Sequence, residues 1–178
     1  TNTGQLHTIK AADLPFGKFR DKGTPVDNVS NYESARENII YAASQTELNL
    51  YRVIFSSLLA MLKVVDGGEF DVTKRTVAAT KLQEDDEVIS VVTLKEQHNI
   101  ILQSKNGYFL RFTVDEIPEK KKGAVGVRGM KLGAEDSLEA VHYTRPTDNS
   151  VIEYKGKEIE LNKLKLGSRD SKGVRVRT

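Results

Sequence analysis

Ile101-Leu102-Gln103-Ser104-Lys105-Asn106-Gly107-Tyr108-Phe109-Leu110-Arg111-Phe112-Thr113-Val114 is the stretch whose reading decides the fold. Two runs rich in β-branched, aromatic and apolar residues flank Asn-Gly, the dipeptide that most readily supplies the positive φ of a tight hairpin turn. Tyr108 to Val114 alternates with a period of two, as a half-buried strand does. The stretch therefore reads as strand, turn, long strand. The residues beyond it are equally regular: Asp115-Glu116-Ile117, the basic loop Lys120-Lys121-Lys122-Gly123, the run Val127-Arg128-Gly129-Met130-Lys131-Leu132, an acidic turn at Glu135-Asp136, and a further alternating run Leu138-Glu139-Ala140-Val141.

Working outward, the same order recurs upstream. Ile54-Phe55-Ser56-Ser57 leads through Ala60 to Lys63-Val64-Val65 and Glu69-Phe70, then Val77-Ala78-Ala79-Thr80-Lys81-Leu82, the acidic turn Glu84-Asp85-Asp86-Glu87 and Val88-Ile89-Ser90-Val91-Val92. Two weaker copies flank these. The first runs from Gly4-Gln5-Leu6-His7-Thr8-Ile9 through Asp13-Leu14-Pro15 and Lys22-Gly23 to Ile39-Ile40-Tyr41-Ala42-Ala43. The last runs from Val151-Ile152-Glu153-Tyr154 through Gly156 and Leu161-Asn162-Lys163-Leu164 to Lys172-Gly173 and Val174-Arg175-Val176. A period of roughly 45 to 50 residues is that of propeller blades. The expectation is an all-β, propeller-like array of about four four-stranded blades, in repeats near 1–50, 51–97, 98–148 and 149–178. Both terminal blades would be incomplete unless one completes the other. Leu48 to Val65 is apolar enough to pass for a helix on propensity alone, but its register with the Asn-Gly copy favours strands. Glu33 to Ala43 is expected to hold a short helical turn before its strand.

Composition narrows the chemistry. The 178 residues contain 38% hydrophobic and 29% charged side chains and no cysteine, which permits a packed core and excludes disulfides, thiolate metal sites and cysteine nucleophiles. No run reaches the roughly 18 apolar residues of a membrane span, so a soluble chain without a membrane partner is expected. The start at Thr1, without methionine, reads as a segment of something longer. His7, His98 and His142 fall at unrelated offsets and suggest packing or solvation rather than a metal site. The run Glu84–Glu87 reads as a solvated turn, and Ser56, Ser57 and Ser104 show no paired His/Asp pattern. Tyr108 and Phe109 read as strand packing, with base stacking as the alternative. Net charge is only +2, yet from Arg145 onward nine basic residues face five acidic ones.

The compound pattern Lys105-Asn106-Gly107, Arg111, Glu116-Ile117, Lys120-Lys121-Lys122-Gly123, Gly126-Val127, Lys131-Leu132 and Glu135-Asp136 resembles the repeats in the C-terminal domains of the A subunits of bacterial DNA gyrase and topoisomerase IV. The resemblance implies a β-pinwheel, whose strands are exchanged between neighbouring blades, with double-stranded DNA wrapped on a basic rim. It implies a non-catalytic domain without a cofactor, in the bacterial cytoplasm at the nucleoid. Its partners would be the rest of the A subunit, which holds the catalytic tyrosine, and a separate ATPase subunit. The Gln-Arg-Arg-Gly-Gly-Lys-Gly box of gyrase does not occur; the corresponding loops read Gly17-Lys18-Phe19-Arg20-Asp21-Lys22-Gly23 and Lys120-Lys121-Lys122-Gly123-Ala124-Val125-Gly126. That favours topoisomerase IV over gyrase.

DNA capture of this kind rests on cations that recur at equivalent loops and neutralise phosphates along a curved track. The candidates are Lys18, Arg20 and Lys22; Lys74, Arg75 and Lys81; Lys120, Lys121, Lys122, Arg128 and Lys131; and Arg169, Lys172, Arg175 and Arg177. The competing reading is a protein-interaction propeller, whose surface would favour aromatic and apolar hot spots instead.

Overall fold

The computed structural model describes residues 1–177. Its strands are β1 (Gln5–His7), β2 (Arg52–Ser57), β3 (Met61–Asp66), β4 (Thr76–Ala78), β5 (Val88–Leu94), β6 (Asn99–Ser104), β7 (Tyr108–Thr113), β8 (Val127–Arg128), β9 (Leu138–Thr144), β10 (Val151–Tyr154), β11 (Lys157–Glu160) and β12 (Val174–Arg175). The helical reading of Leu48 to Val65 fails, because the one helical turn beside it ends at Leu48. Gln45–Leu48 forms α1, capped by the Ser44 hydroxyl on the Glu47 amide, and the chain then enters the β2–β3 hairpin.

The hairpin turns show why different residues give the same shape. In β6–β7 the turn closes with the Gly107 amide on the Ser104 carbonyl, 2.9 Å, at φ 79. In β2–β3 Ala60 takes that place at φ 61, its amide 3.0 Å from the Ser57 carbonyl. Each turn is braced by a serine hydroxyl accepting from the next strand, Ser57 from Met61 N and Ser104 from Tyr108 N. An alanine in the left-handed region is strained, but its methyl is wholly buried in the core, and that packing offsets part of the cost.

Two antiparallel four-stranded sheets result, in the orders β5-β2-β3-β8 and β9-β6-β7-β12, with two-stranded sheets β1-β4 and β10-β11 flanking them. The unit in space is out of phase with the unit in sequence. The short strand β8 comes from the repeat of β6 and β7 yet pairs with β3, one repeat earlier. Likewise β12 pairs with β7, and β4 pairs with β1. Gly126 and Gly173 permit the crossing: a Cβ on either would stand 2.4 or 2.5 Å from the Leu62 or Phe109 carbonyl oxygen. The first and last sheets have two strands each among the described residues. Ile39–Ala43 forms no strand, and Ser34–Arg36 makes only a turn.

The core lies between sheets rather than within one. Ile54, Leu62 and Val64 on one face of the first four-stranded sheet meet Ile100, Leu102, Leu110 and Phe112 of the next. The opposite faces pack outward in the same alternation. Val53, Phe55 and Val65 go to the first repeat, and Ile101 and Phe109 go to the last, where Phe109 packs edge-on against Tyr154. Each fully buried side chain of this size contributes roughly 1.5–3 kcal/mol. Strands β5 and β9 come together at one edge of the two sheets, so the donated strands β8 and β12 stand at the opposite edge.

Candidate nucleic-acid interface

Each basic loop is laid down by the strand donation just described. After its second long strand a repeat makes a 3-10 turn, then a loop that runs beside the second strand of the preceding sheet, then the donated strand. Glu119 bridges in parallel to Val64, and Leu166 to Arg111, in successive repeats. The loops therefore emerge at the same edge of each sheet, which brings Lys120–Lys122 and Arg169–Arg175 onto one side of the molecule.

The fifteen predicted cations divide by what their side chains touch. Lys18, Arg20, Lys22, Lys74, Arg75, Lys81, Lys120, Lys131 and Arg177 are exposed, and no carboxylate lies within ion-pairing distance of them among the described residues. Lys172 and Arg175 lie over the Tyr108 ring, at 4.9 and 5.9 Å from its centroid. Lys121 pairs with Glu69 at 3.2 Å but remains 88% exposed, so the pair is weak and open to competition. The other three are engaged within the protein. Arg128 Nε and Nη2 grip Asp170, and that guanidinium holds the Asp170 carboxyl below the usual carboxylate range. Lys122 Nζ donates to the Glu69 carbonyl, 3.1 Å. Arg169 donates from Nε to the Glu116 carbonyl, 3.0 Å, and from Nη1 to the Arg128 carbonyl, 2.7 Å.

Several contributors escaped the sequence reading. Lys63, only 1% exposed, sits in β3 beside the Phe55 ring and donates to the carbonyl oxygens of Lys122 and Ala124, 2.7 Å each, and of Lys121, 3.3 Å. Three donors meet three acceptors, which turns the loop's carbonyls inward. Burial pulls the Lys63 ammonium down to about 8. A lone lysine in the apolar run Met61-Leu62-Lys63-Val64-Val65 was the signal. Arg111 Nη1 does comparable work on the Asn162 and Leu164 carbonyls.

The acidic turns are not merely solvated. Asp86 and Asp136 are buried, and each caps a hairpin of its own repeat: Asp86 Oδ1 accepts from the Leu59 and Glu87 amides, Asp136 Oδ1 from those of Asn106 and Ser137. A carboxylate that satisfies two orphan amides is stable inside, and this role was invisible in a run of four acids. Phe109 is 2% exposed, which removes it from any stacking surface, whereas Tyr108 stays half-buried under Lys172 and Arg175. His7 joins residues far apart in sequence, with Nε2 2.6 Å from Glu37 Oε1 and Nδ1 2.9 Å from Thr76 Oγ1, fastening the 31–37 segment onto β1 and β4. His142 Nε2 meets Gln103 Oε1 at 2.9 Å, and burial lowers its ionisation.

An array of antiparallel blades that trade their edge strands, with cations on the traded edge, defines a propeller of the pinwheel class. Residues 52–95 and 98–145 match the family model described as DNA gyrase C-terminal domain, beta-propeller. The DNA gyrase A protein of Rickettsia felis is 31% identical over 143 residues, covering 78% of this chain and 16% of that protein. The DNA topoisomerase 4 A protein of Streptococcus pneumoniae is 26% identical over 185 residues, covering 99% and 22%. In fold the chain is similar to the solved C-terminal domain of DNA topoisomerase IV, with a TM-score of 0.86 at 24% identity over 98% of this chain and 56% of that one. The chain belongs to the family of C-terminal domains of the A subunits of the type IIA topoisomerases gyrase and topoisomerase IV. It spans about a fifth of the length of these curated relatives.

Proposed function

We propose that this domain holds and bends double-stranded DNA, presenting a segment for strand passage carried out by the remainder of an A subunit with a partner ATPase subunit. The observation that carries the reading is the recurrence of unpaired cations at one edge of successive sheets: Lys74, Arg75 and Lys81, then Lys120 and Lys131, then Lys172, Arg175 and Arg177. Lys18, Arg20 and Lys22 extend the series in the first repeat. Such a track neutralises phosphates without reading base edges, so it favours shape over sequence. Bending ~20–30 base pairs through 40–90° costs on the order of 1–6 kcal/mol, which distributed contacts must recover. The missing gyrase heptapeptide supports a topoisomerase IV-like role, in which DNA is bent and held rather than fully wrapped. The site would work in the cytoplasm, on the nucleoid, and needs no cofactor for electrostatic capture.

The test is binding to a 20-base-pair duplex and to a ~150-base-pair fragment across a salt series, with fluorescence transfer between the DNA ends. With six to eight phosphates contacted, log affinity falls against log salt with a slope of about −5 to −7. The triple substitution Lys18→Ala, Arg20→Ala, Lys22→Ala flattens that slope by roughly 2.7 if all three touch phosphates. Absence of binding at low salt sinks the proposal and leaves the protein-interaction propeller.

A further inference from the structure

The same four-atom arrangement occurs twice where one repeat hands over to the next. On the 3-10 turn of Gly67–Phe70, a Glu69 carboxylate oxygen accepts from the Lys122 amide, 2.8 Å, while Lys122 Nζ donates back to the Glu69 carbonyl, 3.1 Å. On the 3-10 turn of Val114–Glu116, a Glu116 carboxylate oxygen accepts from the Arg169 amide, 2.8 Å, while Arg169 Nε donates back to the Glu116 carbonyl, 3.0 Å. Both pairs are separated by 53 residues. Each glutamate belongs to one repeat and each cation to the next, so each arrangement spans a junction between consecutive repeats. The Lys122 amide, followed by Lys121, holds the Glu69 carboxyl below the usual carboxylate range.

Random surface pairing does not produce this. A surface ion pair joins two flexible tips and contributes little. Here both partners use a backbone atom as well as a side-chain atom, so the two main chains are fixed in distance and direction. Gly126 and Gly173, which carry the donated strands over Leu62 and Phe109, lie four residues past Lys122 and Arg169 in both cases.

We propose that Glu69 and Glu116 are positioning residues that set the angle between successive blades, with Lys122 and Arg169 as their latches, and so fix the curvature of the DNA path. This rests on the DNA-bending reading above. Lys122 and Arg169 then serve the scaffold, while their free neighbours serve the phosphates.

The two roles separate on bending, not on affinity. Glu69→Ala with Glu116→Ala removes two negative charges near the track, so electrostatics alone would tighten DNA binding and leave bending intact. Loss of the joints instead leaves affinity for the 20-base-pair duplex unchanged or tighter. It also cuts end-to-end fluorescence transfer on the 150-base-pair fragment by half or more. Hydrogen exchange at the Lys122 and Arg169 amides should quicken at least tenfold. Glu69→Gln with Glu116→Gln keeps one acceptor oxygen at each joint and restores most of the bend, which also covers the case in which the alanine pair does not fold. Arg169→Lys retains the salt slope.

Undiminished bending in the alanine pair overturns the proposal. So does a salt slope that falls by about 0.9 in Lys122→Ala or in Arg169→Ala, the mark of a phosphate contact. The unsubstituted protein reports separately. If it binds neither DNA, the DNA reading falls and takes the role of the joints with it. If it binds and bends while the variants do so equally, the joints alone fall.

Discussion

Raising the pH from 7 to 10 should stabilise this protein, and the reason is one lysine. Lys63 is 1% exposed and its ammonium is answered by carbonyl oxygens, not by a carboxylate in contact. Burial, partly offset by Glu69, moves its ionisation from 10.5 to about 8. In the unfolded chain it keeps the higher value. Below pH 8 both states hold the proton and Lys63 imposes no pH dependence. Between 8 and 10.5 the unfolded chain holds more protons than the folded one, so unfolding becomes less favourable as pH rises. The gradient approaches about 1.4 kcal/mol per pH unit, and its integral reaches about 2–3 kcal/mol by pH 10. Urea titrations at pH 7, 8, 9 and 10 on the natural chain and on Lys63→Met isolate the effect, because the other titrating groups cancel in the difference. Stability of the natural chain should gain on the methionine variant by about 2–3 kcal/mol between pH 7 and 10. A difference that stays flat, or moves the other way, refutes the view of Lys63 as a charged group held in a dry site.

Local geometry sets two further outcomes. Gly126→Ala and Gly173→Ala each force a methyl to within 2.4 or 2.5 Å of a carbonyl oxygen at φ 102 or 80, and each should lower stability by about 2–3 kcal/mol in urea titration. Gly123→Ala, with nothing within 4 Å, should stay within about 0.5 kcal/mol. Tyr143 has a buried hydroxyl with no hydrogen-bonding partner among the described residues, and burial pushes its ionisation up to about 12. Its folded-state value lies above the unfolded one, so the stability it contributes below pH 10 is lost as pH rises through 12. Tyr143→Phe should be near neutral at pH 7 and should flatten that alkaline decline, measured by urea midpoints between pH 10 and 12.

The sequence disclosed whatever repeats locally. Asn106-Gly107 and Lys155-Gly156 mark their hairpins, and Lys155 and Gly156 both adopt positive φ. The alternation of Tyr108 to Val114 marks a strand, which the structure buries on both faces, Leu110 and Phe112 in one core and Phe109 in the next. Ala60 hides the equivalent hairpin because its left-handed backbone is held by burial, not by residue type. The exchange of β4, β8 and β12 between neighbouring blades was implied by the family resemblance and not by the residues themselves, since a short strand carries the same pattern whichever neighbour it pairs with. The basic loops were legible as charge, but not which cations are spent on the protein itself. Lys122 and Arg169 look no different in sequence from Lys120 and Lys172; Glu69 and Glu116 distinguish them, across 53 residues.

Because the second and third copies each lend a short strand backward and receive one from ahead, no cut beside them in the gene coincides with a seam in the molecule. A tandem duplication of one period, begun at any phase, therefore inserts a copy that finds a lender on one side and a borrower on the other. Arrays of this design can lengthen or shorten by whole blades without inventing a new interface, and the length of DNA they carry can change with the same step.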